Sequence, residues 1–149
     1  MAEFLEFTLD KFTFKVATDR LYNGDGVWAK AEGDRVTVGM SDYLQQRSGD
    51  IAFAEIVAAG TPVTAGEPFA DIETIKADVE LSSPVSGTLL EICPKMDFEP
   101  EIINLDPYET GWMALILADN WALDQANLLS PQAYFEIIKK DAQKEVENL

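Results

Sequence analysis

Lys76 is the residue whose setting offers chemistry. It lies in Ile72-Glu73-Thr74-Ile75-Lys76-Ala77, between apolar neighbours and three positions after an acid. Ser83-Pro84-Val85-Ser86-Gly87 follows soon after. Lysine is a compact charge on a flexible stem, and acylation removes that charge. At a tight turn between two strands it is a good attachment point for a cofactor that must reach away from its carrier. A lone lysine in a loop is ordinarily just solvated, so the rest of the chain has to justify the stronger reading.

The remaining inventory is poor in catalytic groups. The 149 residues contain no histidine, which removes the commonest general base and the commonest metal ligand. Cys93 is the sole cysteine, so there is no disulfide framework. Neither a Ser-His-Asp nor a Cys-His site can be built from this chain. Gly24-Asp25-Gly26 lacks the third glycine and the following helix pattern of a phosphate loop. The carboxylates show no metal-ligand spacing. Such a chain suits a carrier subunit better than an enzyme.

Net charge is −16 at pH 7. Phosphate backbones and anionic membranes are repelled, so neither nucleic acid nor a membrane is an expected partner. Proteins with basic surfaces are the natural match, because complementary charge speeds encounter. No apolar run approaches the roughly 18 residues that span a bilayer. Glu3, Glu6 and Asp10 argue against a secretory signal or an Arg-rich transit peptide, and a cytoplasmic protein is expected.

The elements that must position Lys76 are short strands. With 47% hydrophobic and 26% charged residues the chain reads as globular, and its length suggests one domain, residues 1–149. Phe12, Phe14 and Val16 alternate with polar residues, and Val27–Ala29, Arg35–Met40, Ile51–Ile56 and Leu89–Ile92 are further strand candidates. Ser41 or Asp42 can cap a short helix over Tyr43–Arg47 that Gly49 ends. Gly60, Gly66 and Gly87 punctuate the middle, which predicts an all-β sandwich or barrel core. Pro94–Pro107 reads as a long irregular loop and Trp112–Leu117 as a last strand. Residues 119–149 are expected to form a helical extension packed on that domain: a short helix over Asp119–Leu129, then a helix opened by Ser130-Pro131. Tyr134, Ile137, Ile138 and Ala142 recur along it at helical spacing and are expected to lie on the sheets.

With these segments in order, the chain resembles the lipoyl-carrying H proteins of the glycine cleavage system. The marks are Val38-Gly39-Met40-Ser41-Asp42-Tyr43-Leu44-Gln45, Gly49-Asp50-Ile51, Glu73-Thr74-Ile75-Lys76-Ala77, Ser83-Pro84-Val85-Ser86-Gly87, and Pro100–Tyr108 with Gly111-Trp112-Met113. The resemblance implies a mostly β fold, a barrel-sandwich hybrid of two small antiparallel sheets with short helices and a C-terminal helix. It implies lipoate on Lys76, with Glu73, Ile75 and Ala77 completing the hairpin that a lipoate ligase or lipoyltransferase reads. Biotin is the rival attachment on the same general fold, but biotinyl lysines usually sit between methionines. The cofactor would carry the chemistry while the protein positions and shields it. Gly87 is expected to permit close approach of a paired strand, Trp28 and Trp112 to be core aromatics, and Asn104 and Asp106 to fix the loop. Cys93 is expected to be buried.

Three departures bear on the adduct. Gly26-Val27-Trp28 stands where the family usually has His-Glu-Trp, whose acid helps hold an aminomethylated arm in a surface cleft. Arg47 falls where histidine is common, and Cys93 replaces an asparagine. Val27, Arg47 and Glu80 are the candidates for lining an arm cleft. The pattern is similar to the H-like lipoate-binding proteins of heterodisulfide-reductase-like sulfur oxidation, in which Arg47 could meet an anionic sulfur adduct. These departures point to that branch, with a heterodisulfide-reductase-like complex expected to load and unload the arm. The alternatives are a glycine cleavage H protein serving glycine cleavage enzymes, including dihydrolipoamide dehydrogenase, and a scaffold protein without lipoate.

Overall fold

Alternation along the first residues builds a hairpin that the sequence reading saw only in part. The structure is a computed structural model that describes residues 3–147, with side chains through residue 145. Strand β1 (Phe4–Leu9) pairs antiparallel with β2 (Phe12–Ala17), in the register Leu5↔Val16, Phe7↔Phe14 and Leu9↔Phe12. The second strand was expected; the first was not, although Leu5, Phe7 and Leu9 alternate with Glu6 and Thr8.

The rest follows in chain order: β3 (Leu21–Tyr22), β4 (Val27–Glu32), β5 (Arg35–Met40), α1 (Asp42–Ser48), β6 (Ile51–Ile56), β7 (Pro62–Val63), β8 (Pro68–Thr74), β9 (Asp78–Ser82), β10 (Gly87–Ile92), α2 (Lys95–Phe98), α3 (Ile102–Leu105), β11 (Ala114–Ala118), α4 (Trp121–Gln125) and α5 (Pro131–Glu147). One sheet has the order β3-β4-β5-β11-β10-β7, and the other β6-β8-β9. All their strand pairs are antiparallel. Both sheets contribute to one core: Val36, Val38, Leu89 and Ile116 from the larger, Ile51, Phe69, Ile72 and Leu81 from the smaller. This is the mostly β barrel-sandwich hybrid expected.

Two glycines allow close approach. A Cβ on Gly87 would lie 1.9 Å from the Leu117 carbonyl oxygen of the paired strand, so only glycine fits. A Cβ on Gly39 would meet the Trp28 ring at 2.6 Å. That ring is buried, and its Nε1 donates to the Met40 and Pro107 carbonyls, both at 3.1 Å. Trp112 is half-buried, packed against both core clusters.

A second apolar cluster joins the hairpin to α1 and α5. Its buried members include Phe14, Val16, Tyr22, Tyr43, Tyr134, Ile138 and Ala142. Tyr22 and Tyr134 stack at 4.5 Å, and Ser41 shares a 2.6 Å hydrogen bond with the Tyr134 hydroxyl. Ile137, expected on this face, is half exposed, because the face that α5 buries is centred on Tyr134, Ile138 and Ala142. The span Pro94–Pro107, expected to be irregular, contains the one-turn helices α2 and α3. Too few residues recur in so short a helix for periodicity to reveal it. The last strand starts at Ala114, two residues later than expected. The helix expected over Asp119–Leu129 is confined to α4, capped by Asn120, whose side chain accepts from Leu123 N at 3.1 Å. Asn104 ties α3 to α1, donating to Gln45 and to the Gly49 carbonyl while its Oδ1 accepts from Ile51 N. Asp106 accepts from the backbone and hydroxyl of Thr110.

Candidate functional site

Thr74 ends β8 and shapes the turn that holds Lys76. Its backbone N–H and its hydroxyl both donate to the Ala77 carbonyl at 2.9 Å. The same hydroxyl oxygen accepts from Lys76 N and Ala77 N at 3.2 Å. One side chain thus satisfies the backbone of a three-residue turn, as short hydroxyl side chains do. Ile75, Lys76 and Ala77 are all exposed at its tip, Ile75 by 79%. The Lys76 Nζ has no hydrogen bond or ion pair among the described residues, so acylating it breaks no contact. The turn fits a lysine that carries a covalent acyl cofactor.

Lys76 also borders a groove of about 670 Å³, within the usual size range of small-molecule sites. Its stem passes Gly49, at the end of α1, where a Cβ would lie 3.6 Å from the lysine Cε. Tyr43, Gln46 and Arg47 of α1 line the groove, as do Ala142 and Glu145 of α5. The tip of the first hairpin closes it with Leu9, Asp10, Phe12 and Phe14. Sequence reasoning missed that wall; the alternation of Phe4–Leu9 was the signal that could have found it.

Of the three cleft candidates only Arg47 lies in this groove. Its guanidinium is paired with Asp141 at 2.9 Å and with Glu145, and stands over the Tyr43 ring. Two carboxylates therefore already balance its charge. The Tyr43 hydroxyl donates to the same Asp141 at 2.5 Å, and burial together with that carboxylate raises its pKa. Val27 is 0% exposed and points into the core between the sheets, away from the groove. Glu80 is exposed on β9 and does not line the groove. Glu73 is exposed at the end of β8, beside Phe53, Asp71 and Asp78 in a separate acidic depression. Cys93 is buried at the end of the core. Among the described residues no cluster of three Cys, Asp or Glu could hold a metal.

The family model described as Glycine cleavage H-protein matches residues 20–141. A glycine cleavage system H protein from Rubrobacter xylanophilus is 37% identical over 127 residues, 85% of this chain and 98% of its own length. One from Geobacillus thermodenitrificans is 36% identical over 119 residues, 80% of this chain and 93% of its own. The crystal structure of a glycine cleavage system H protein from Mycobacterium marinum superposes with a TM-score of 0.71 at 29% identity, covering 78% of this chain and 94% of that one.

Proposed function

This chain belongs to the glycine cleavage H-protein family, whose members hold lipoate covalently on a lysine, and on that premise we propose that Lys76 is its lipoylated residue. One observation carries the proposal: Lys76 is exposed at a turn organised by Thr74, unpaired among the described residues, and opens onto a groove. When bound, lipoate supplies a reducible dithiolane that accepts a small adduct at one enzyme and yields it at another. The chain's own part is to present the arm, let the tether raise its local concentration at each partner, and shelter it between visits. Lipoate ligase or lipoyltransferase loads Lys76, with Glu73, Ile75 and Ala77 exposed around it for recognition.

The cargo we assign is the aminomethyl group of glycine cleavage, with the enzymes of that system as partners in the cytoplasm. The relatives are glycine cleavage H proteins, and this supports that cargo over the sulfur adduct suggested by Val27 and Arg47. Two structural facts weaken the case those residues made. Val27 is core packing, and Arg47 is neutralised by Asp141 and Glu145. Asp10, also at the groove, is better suited to a cationic amine than to an oxyanion. One observation keeps a sulfur-transfer role as the second reading: Arg47 does border the groove that Lys76 opens onto.

The test is the mass of the protein and of its Lys76 peptide after purification from its own host. A lipoyl increment with an aminomethyl adduct is expected. A lipoyl increment bearing sulfur would move the chain to the second reading. Unmodified Lys76 in cells that lipoylate other proteins would overturn the carrier role.

A further inference from the structure

The family match begins at residue 20, yet the groove beside Lys76 is closed by residues 9–14. Strands β1 and β2 therefore add to the matched fold a structure that meets its candidate site. The hairpin is well anchored at its far side: Phe7 packs on Phe14 and on Phe135 of α5, and Phe14 meets Tyr43 of α1 edge-on. Its tip is different. Leu9 and Phe12 are direct cross-strand partners, flanking the two-residue turn Asp10-Lys11, and Phe12 leaves 49% of its surface in water. The hairpin's own packing does not need that surface. It faces the groove into which Lys76 opens, beside the apolar faces of Tyr43 and Ala142.

We propose that the β1–β2 hairpin is an arm-holding wall, in which Leu9 and Phe12, backed by the buried Phe14, receive the saturated chain and dithiolane carried by Lys76. The inference rests on the lipoyl-carrier reading and adds a binding surface to it. An eight-carbon acyl chain tethered beside exposed aromatic surface gains by leaving water, and the tether removes most of the entropy cost of finding it. Phe12 supplies wide apolar area at small rotamer cost, and Asp10, Arg47 and Glu145 remain polar neighbours of the groove. The wall shields the arm from small thiols and oxidants, while a docked partner can draw it out.

The test uses the full chain lipoylated at Lys76, with occupancy fixed first by mass. The arm is reduced with a phosphine, and alkylation of its two thiols by a bulky maleimide is timed on the Lys76 peptide, which separates it from Cys93. The Leu9→Ser/Phe12→Ser variant is expected to react at least fivefold faster than the unchanged protein. Phe4→Ser is the control: Phe4 is on the same hairpin and 40% exposed, but packs on Tyr108 away from the groove. It should react at the unchanged rate. Equal rates in the double variant and the unchanged protein would overturn the wall and leave the carrier reading standing. A second measurement does not depend on the double variant folding. Phe12→Trp, lipoylated, is compared with Phe12→Trp/Lys76→Arg, and a blue-shifted emission is expected only where the arm is present. Identical spectra would overturn the proposal. Failure of Lys76 to be lipoylated at all would remove both readings, and it is seen in the first mass spectrum.

Discussion

At the scale of single residues, Lys76 and Gly87 separate function from stability. Lys76→Arg keeps the charge but removes the acylatable amine, so the lipoyl mass increment should vanish. The residue is exposed, so the unfolding free energy should stay within about 0.5 kcal/mol. Urea unfolding monitored by tryptophan fluorescence checks the second half. Gly87→Ala should do the reverse. Its Cβ would meet a backbone oxygen of β11, not a flexible side chain, and overpacking of this kind costs about 1–3 kcal/mol. Lipoylation of the folded fraction should be unaffected. Arg47 sits between these cases. Its ion pairs are surface-exposed, so Arg47→Ala should cost no more than about 1 kcal/mol.

At the scale of elements, α5 matters because it both completes the second cluster and borders the groove. Ile138 is buried against the hairpin and α1 residues, so Ile138→Ala should cost about 2–5 kcal/mol. It should also speed alkylation of the arm, because the groove loses its support; Ile137→Ala, on the exposed face, should do neither. The buried tyrosines that tie these elements together set an alkaline limit. Burial pushes Tyr108 from 10.0 up to about 12, and raises Tyr22, Tyr43 and Tyr134 still further. Above pH 10 the unfolded chain releases these protons and the folded chain does not. The unfolded state then binds fewer protons, so stability falls as pH rises. The contribution of Tyr108 is intact below pH 10 and is lost between pH 10 and about 12. Unfolding midpoints through that window should drop together with the appearance of tyrosinate absorbance.

At the scale of the whole molecule, net charge −16 governs how partners are met. The smaller sheet and α2 concentrate part of it near the modification turn, with Glu55, Asp71, Glu73 and Asp78 of the sheet and Asp97 of α2 around one depression. Association with a basic partner enzyme should slow steeply with added salt while dissociation changes little, since complementary charge acts mainly on encounter. Stopped-flow binding at several ionic strengths measures both rates. A flat salt dependence would show that the acid serves solubility alone.

Local chemistry determined a good deal of this protein from the chain alone. Strands β4, β5, β6, β10 and, but for its start, β11, with the capped helix after Met40, the proline-led C-terminal helix and the exposed turn at Lys76, were legible because each depends on alternation, caps or turn residues within a few positions; β3, β7, β8 and β9 were not assigned. The one-turn helices α2 and α3 were not, for they are held by tertiary partners such as Asn104 rather than by periodicity of their own. The cleft lining belonged to the same class. Val27 and Arg47 are equivalent as departures in a string of letters; only the packing of β4 sends one into the core and only the approach of α5 pairs the other with Asp141 and Glu145. The meeting of residues 9–14 with Lys76 spans more than sixty positions of chain, and no local preference encodes it. It follows from where two hairpins and α5 come to rest when their apolar faces are buried together, which the tertiary structure alone decides.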